Sequence, residues 1–196
     1  DCLVGSEMCI RDRTNLNLCK NDITGDAAET LATIVLEHKS LVIFNEIPMQ
    51  ELRNDTVTSL DLNNKGAGVP GALVLAKLLP ATSVLTTLNS WKAEFDDEGV
   101  SAIASALHDN AALTDLHLGY NSVGSAGAKA LASALQFNRA VTKLDLSENA
   151  LCGLNSVGVG TYTAEGINSL AEALKVRAQP SHPACLSSVS CSCPPL

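Results

Sequence analysis

The sequence predicts an α/β solenoid, a stack of strand–helix units. Three observations predict it. Val57, Leu85, Leu113 and Val141 stand 28 residues apart, and each opens the same pattern. Leucines then alternate with polar residues, as in Leu116-His-Leu118, which is the period of a half-buried strand. Finally, leucines four apart recur downstream on what would be one helical face, behind a repeated glycine. Periods of this length belong to chains whose repeats each touch only their neighbours.

The elements follow in order. Asn15-Leu16-Asn-Leu18-Cys-Lys-Asn21-Asp-Ile23 reads as a first copy, followed by a helix from about Gly25 to His38. A strand would begin at Leu41, only 16 residues before Val57. Its helix is expected to be replaced by Ile47-Pro48-Met49 and a short polar turn, giving a truncated repeat at 41–56. Four regular copies follow. Their inward strand columns are Leu60, Leu88, Leu116, Leu144 and Leu62, Ser90, Leu118, Leu146. Their helix columns are Leu75, Ile103, Leu131, Leu170 and Leu79, Leu107, Leu135, Leu174. Gly71, Gly99, Gly127 and Gly166 recur at the helix start, where a missing Cβ lets neighbouring layers approach. Asn21, Asn121 and Asn149 sit where an amide can bond turn backbone that otherwise lacks partners. Lys65 and Ala93 replace that asparagine in two copies, and Ser90 interrupts an inward column. Two registers are open there: Trp91 on the outward face, or a bulge that turns Trp91 inward in place of Ser90. A loop insertion at about 152–163 enlarges the last copy.

The two ends read differently. Residues 1–13 are expected to be a non-native leader: Leu3-Val-Gly-Ser-Glu-Met-Cys-Ile-Arg-Asp12 resembles a sequencing-library adapter translated in one frame, and lacks a signal-peptide h-region. The chain is therefore read as a fragment, with the solenoid over 14–178. Residues 179–196 are rich in Pro, Ser and Cys and are expected to be a disordered tail. His182, Cys185, Cys191 and Cys193 fall there, but their spacing does not match structural zinc sites, so no metal is expected.

Composition excludes several classes. The net charge is −8, and an acidic surface repels phosphate backbones, so nucleic acid is not the expected partner. No run of about 18 apolar residues is present, so no membrane partner is expected. Five of the seven cysteines cluster at the two ends, which is no disulfide framework and suits a reducing, cytoplasmic compartment.

Leu-x-x-Leu-x-Leu-x-x-Asn at 113–121, with Gly127-Ala-Lys-Ala-Leu-Ala-Ser-Ala-Leu135 after it, resembles ribonuclease-inhibitor-type leucine-rich repeats. The resemblance covers about residues 14–178. The same subfamily occurs in sensor regions of NLR-type receptors and in Ran GTPase-activating proteins. It implies a curved array with parallel strands on the concave side and helices on the convex side, and an intracellular protein that binds other proteins; it carries over no catalytic residue and no cofactor.

Two motifs suggest chemistry and fail. Gly66-Ala-Gly68-Val-Pro-Gly71 fits a dinucleotide fingerprint, yet its strand alternates and Gly71 is the helix-start glycine of every copy. His117 and Asp145 share an outward column and could pair, but no nucleophile stands with them and the face is open to water.

The expected function is therefore a non-catalytic protein–protein interaction module, with a regulatory region of an NLR-type receptor or GTPase activator as the alternative. The outward columns are Ser59/Thr87/Asp115/Lys143, Asp61/Asn89/His117/Asp145 and Asn63/Trp91/Gly119/Ser147. From them and the adjacent Tyr120, the candidate binding residues are Asp61, Asn63, Asn89, Trp91, Asp115, His117, Tyr120, Lys143, Asp145 and Ser147. Trp91 and Tyr120 are the aromatic anchors. The mildly acidic face suits a protein with a basic patch.

Overall fold

The computed structural model describes residues 14–154, 159–177 and 188–190. The leader at 1–13, most of the tail, and 155–158 of the insertion lie outside the described residues.

Strands and helices alternate. β1 (Asn15–Leu16) is followed by α1 (Gly25–Glu37), then β2 (Ile43–Phe44), β3 (Ile47–Pro48) and a short α2 (Met49–Arg53). The regular copies are β4 (Ser59–Asp61) with α3 (Gly68–Leu78), β5 (Thr87–Asn89) with α4 (Asp97–Leu107), β6 (Asp115–His117) with α5 (Ser125–Phe137), and β7 (Lys143–Asp145) with α6 (Glu165–Arg177). β8 (Ser188–Ser190) closes the order. β4 to β8 form one parallel sheet in chain order, and β1 to β3 a separate small one. Leu60, Leu88, Leu116 and Leu144 are direct partners on adjoining strands, so the 28-residue stride is a stacking register.

The core is a single apolar cluster running from Ala28 to Ala173, so the division into two sheets does not divide the core. Its bulk is the inward leucines and the helix columns. The glycine column works by contact. A Cβ on Gly99 would meet the Ala72 Cβ at 2.7 Å, and one on Gly71 the Ala67 Cβ at 2.8 Å. At Gly99 the neighbouring unit sits too close for any side chain, whereas at Gly71 the clash is with the start of its own helix. α3 is buried on nearly all sides, Val69 to Ala76 without interruption, and its sequence is accordingly apolar all round.

Asparagine amides tie consecutive units together. Ala93 and Phe95 N–H donate to Asn121 Oδ1, and Asn121 Nδ2 donates to the Ser90, Leu118 and Gly119 carbonyls. Asn149 repeats the arrangement one unit on, accepting from Asn121 and Val123 N–H and donating to Leu118, Leu146 and Ser147. A second ladder at the opposite end of each unit was not read from the sequence. Asn138 Nδ2 donates to the Leu107 and Asn110 carbonyls, and Asn110 Nδ2 to those of Leu79 and Thr82.

The truncated repeat differs from expectation. Its strand is Ile43–Phe44 and turns back at Asn45-Glu46 into an antiparallel β3. Both turn residues have positive φ, 46° and 67°, which matches the twist of a tight hairpin. The region is not a polar turn alone, because Met49–Arg53 forms a short helix with Met49 and Leu52 buried. Asn45 is buried and spans the gap between the sheets, accepting from Leu18 N–H and donating to the Ala67 carbonyl. The tail also departs from expectation: Ser188–Ser190 is a strand, paired parallel to β7 with Leu144 opposite Val189. An unpaired strand edge is a template for further pairing, and β7 offers one.

Helix ends are closed by residues from elsewhere in the chain. Arg53, off the strand face as expected, donates from Nη1 to the His38 and Leu41 carbonyls and from Nη2 to those of Val35 and Leu36. It satisfies the C-terminal carbonyls of α1, where a cation also suits the helix dipole. The acidic run at the start of α4 serves three helices. Asp96 caps α4 through Gly99 N–H, Asp97 Oδ1 accepts from Gly124 and Gly127 at the start of α5, and Glu98 accepts from Gly25 at the start of α1.

Replacing Arg53 by Lys keeps the charge but loses the fork. This substitution is expected to lower stability by about 1–2 kcal/mol. The check is urea unfolding, with a reduced midpoint at unchanged slope. An unchanged midpoint would show that the four carbonyls are satisfied without the guanidinium.

Candidate functional site

The strand register assembles the first two outward columns as the sequence placed them. Ser59, Thr87, Asp115 and Lys143 are successive partners, as are Asp61, Asn89, His117 and Asp145. The third column lies just past the strands, where the ladder continues. Asn64 N–H donates to the Trp91 carbonyl, Lys92 to Gly119, and Tyr120 to Ser147, at 2.8–2.9 Å.

The second column holds the third in place. Asp61 Oδ1 accepts from Asn63 N–H and Asn89 Nδ2. Asn89 Oδ1 accepts from Trp91 N–H, and Asp145 Oδ1 accepts from both N–H and Oγ of Ser147. Short polar side chains bonding backbone two residues on make the turn that leaves each strand. His117 makes no such bond among the described residues. Its Nδ1 stands 4.0 Å from Asp145 Oδ2, so the two are neighbours in a long contact.

The turn places one residue per unit in the left-handed region: Asn64, Lys92, Tyr120 and Glu148, with φ between 51° and 57°. Only Asn64 is a type that adopts this backbone readily, and the others carry a cost of roughly 1 kcal/mol each. This column was not recognised from the sequence, although its members are 28 apart. It sets Tyr120 beside Trp91. The ring centroids are 5.1 Å apart with planes inclined by 32°. Lys92 Nζ lies 5.5 Å from the Tyr120 centroid and occupies a face of that ring. Lys92, Glu94, Tyr120 and Glu148 line a shallow depression of about 450 Å³.

The Trp91 alternatives resolve in favour of the outward register. β5 and β6 pair without an inserted residue, and the serine is the buried one. Among the described residues Ser90 Oγ has no hydrogen-bond partner, a penalty of about 1–3 kcal/mol for a buried hydroxyl. The same unit places Phe95 in the buried column of Ala67, Val123 and Leu151, which restores bulk to a layer that lost a leucine. Trp91 is half-buried and lies across Gly119, whose Cβ, if it had one, would sit 2.8 Å from the indole Cδ1.

Charge on the face is partly neutralised. Lys143 Nζ is 2.7 Å from Asp115 Oδ1, and Thr114 Oγ1 donates to Asp115 Oδ2. The Lys143 hydrogen bond first, and Thr114 second, hold the Asp115 carboxyl below the usual carboxylate range. Both oxygens of Asp115 are therefore engaged. Asp145 differs: Oδ1 is engaged by Ser147, while Oδ2 has only the long approach to His117 among the described residues.

On β4 to β7 no serine or cysteine stands in the column of His117 and Asp145, which continues on β8 to Ser190. Among the described residues, no three His, Cys, Asp or Glu side chains are placed to hold a metal, and no helix is long and apolar enough to cross a membrane. The histidine and cysteines of the tail lie outside the described residues.

Residues 109–132 match the signature of the family described as Leucine Rich repeat, and overlap the copy at 113–135 on which the resemblance was read. No curated protein sequence matches the chain. Among solved structures, the fold is shared with a chain described as Leiomodin-1 Actin-Binding Site 2 (ABS2). The match has a TM-score of 0.61 and 19% identity over 75% of this chain and 78% of that one. Residues 109–132 thus carry one leucine-rich repeat signature, and the chain shares with that structure a fold of parallel strands backed by helices.

Two measurements check this geometry. Gly119→Ala has no positive-φ strain to overcome, so its effect is steric. It should push the indole toward water, shifting the emission of the chain's sole tryptophan to the red while helical circular dichroism stays unchanged. An unshifted spectrum would mean that Trp91 does not rest on Gly119. The second measurement is pH dependence. A carboxyl with a depressed folded pKa contributes stability that is complete above its unfolded value, near pH ~4, and is lost as pH falls through the folded value. Asp115→Asn should therefore flatten part of the decline in Tm below about pH 4. Lys143 is largely exposed, so the effect should be small and shrink with added salt. Parallel acid limbs for variant and parent at low ionic strength would show the pair contributes nothing.

Proposed function

We propose that this chain is a non-catalytic protein–protein interaction module, built as a ribonuclease-inhibitor-type leucine-rich repeat solenoid and acting in the cytoplasm. Its binding face is the strand face. The partner is a protein presenting a basic patch, and nucleic acid and membrane are not its targets. One observation carries the reading. Asp61, Asn89, His117 and Asp145 align on consecutive strands, with Trp91 and Tyr120 stacked at their edge. Aligned polar columns with a central aromatic anchor suit recognition across several repeats, where aromatic residues carry most of the binding energy. Asp61, Asn63, Asn89, Trp91, Asp115, His117, Tyr120, Lys143, Asp145 and Ser147 form this face.

The Leiomodin-1 likeness favours one specific partner class. The matched structure is described as an actin-binding site, so actin is a direct candidate for a first binding assay. A regulatory region of an NLR-type receptor or a GTPase activator remains the alternative, and GTP turnover by candidate GTPases tests the activator arm.

The test is capture of a bound partner, starting with actin co-sedimentation, by the parent chain and by a variant carrying Trp91→Ala and Asp145→Ala. The variant should keep its circular dichroism and lose at least about tenfold in affinity, the scale of two anchor truncations. Undiminished capture by a folded double variant would remove the strand face from the reading.

A further inference from the structure

We propose that the Trp91–Gly119–Asp145 corner of the strand face is an arginine receptor: it takes one guanidinium side chain of the partner, in preference to a lysine. The inference rests on the strand-face reading above and names the group that reading leaves open.

The glycine locates the corner. A Cβ at Gly119 would meet Trp91 Cδ1 at 2.8 Å and Asp145 Oδ2 at 3.2 Å, so an indole edge and a carboxylate oxygen converge over one residue without a side chain. Gly119 itself is buried beneath them, while Trp91 and Asp145 are half-exposed and reach solvent. Asp145 Oδ1 is engaged twice by Ser147, which fixes the carboxylate and leaves Oδ2 over Gly119 with only His117, at 4.0 Å, near it among the described residues. The neighbouring carboxylate, Asp115, is already neutralised by Lys143. Asp61, in the same column, also has an oxygen without a partner among the described residues, but Asp145 is the carboxylate that meets Trp91 over Gly119.

The two groups together select the guanidinium. A planar cation stacks on an indole face while its edge N–H donors reach an in-plane acceptor, which a compact, strongly hydrated ammonium does less well. With one carboxylate oxygen available, the contact is a single charge-assisted hydrogen bond plus stacking. Lys92 lies against Tyr120, so an internal cation already occupies a face of that ring, and Tyr120 in turn covers one side of Trp91; the half-exposed remainder of the indole is the platform. The acidic balance of the chain adds long-range attraction without distinguishing arginine from lysine.

Trp91 is the only tryptophan, so its fluorescence reports on this corner alone. The experiment titrates the full chain with an end-capped hexapeptide alternating arginine and glycine, and with the same peptide carrying lysine. Near physiological ionic strength, the arginine peptide should change Trp91 emission saturably and bind at least about fivefold tighter than the lysine peptide. Asp145→Asn, checked for folding by circular dichroism, should weaken the arginine peptide by about five- to tenfold and narrow the preference. Equal affinities, both weakened by Asp145→Asn, would overturn the arginine assignment and leave the acidic strand face standing. Binding seen by calorimetry without any change in Trp91 emission would place the cation elsewhere and overturn it too. Absence of binding by either peptide also overturns it, while capture by the Trp91/Asp145 double variant decides the broader reading separately.

Discussion

The structure depends on the satisfaction of backbone groups at the two ends of each unit. A strand of three residues followed by a tight turn leaves N–H and C=O groups facing the interior, where each needs a partner. Asn121 and Asn149 supply them at the strand exit, and Asn110 and Asn138 at the helix exit. Each amide joins its own turn to the turn of the unit before it. The units are therefore coupled in series, and the leucine columns can stack only because the turns between them are closed.

The same constraint explains the tolerated irregularities. Where Ala93 replaces the asparagine, its backbone N–H is taken by Asn121 of the following unit, so the gap is covered from one side. Where the truncated repeat breaks the sheet, Asn45 carries the same bonds across it. Ser90 is the exception. Its hydroxyl is buried unpartnered, and the register holds because Leu60, Leu88, Leu116 and Leu144 fix it on the adjacent column. A strand cannot slip by one residue without turning that whole column to water.

Function follows from what the inward columns leave over. With leucines committed to the core, every second strand residue faces outward, and the 28-residue stride sets them side by side on neighbouring strands. The face differs from unit to unit, and on the proposed reading that variation is the source of its specificity. Lys143 cancels Asp115, Ser147 orients Asp145, and Gly119 makes room for Trp91. A uniform ladder of aspartates would attract any cation, whereas here one carboxylate, Asp145, meets an indole over a glycine.

The sequence by itself determined the register, the inward and outward columns, the glycine contacts and the outward candidate set, because each depends only on a fixed period along the chain. It also contained, unrecognised, the Asn110/Asn138 ladder and the left-handed column of Asn64, Lys92, Tyr120 and Glu148, which obey that period without being leucines. Tertiary structure alone decided the rest. Arg53 closing α1, the run Asp96, Asp97 and Glu98 capping three different helices, the pairing of Ser188–Ser190 with β7, and the resting place of Trp91 all join residues whose separation is no multiple of the repeat or whose side chain had two open directions. A period fixes which residues are neighbours from unit to unit, but the direction of a side chain depends on the space and the unpaired groups around it, and those exist only once the units have stacked.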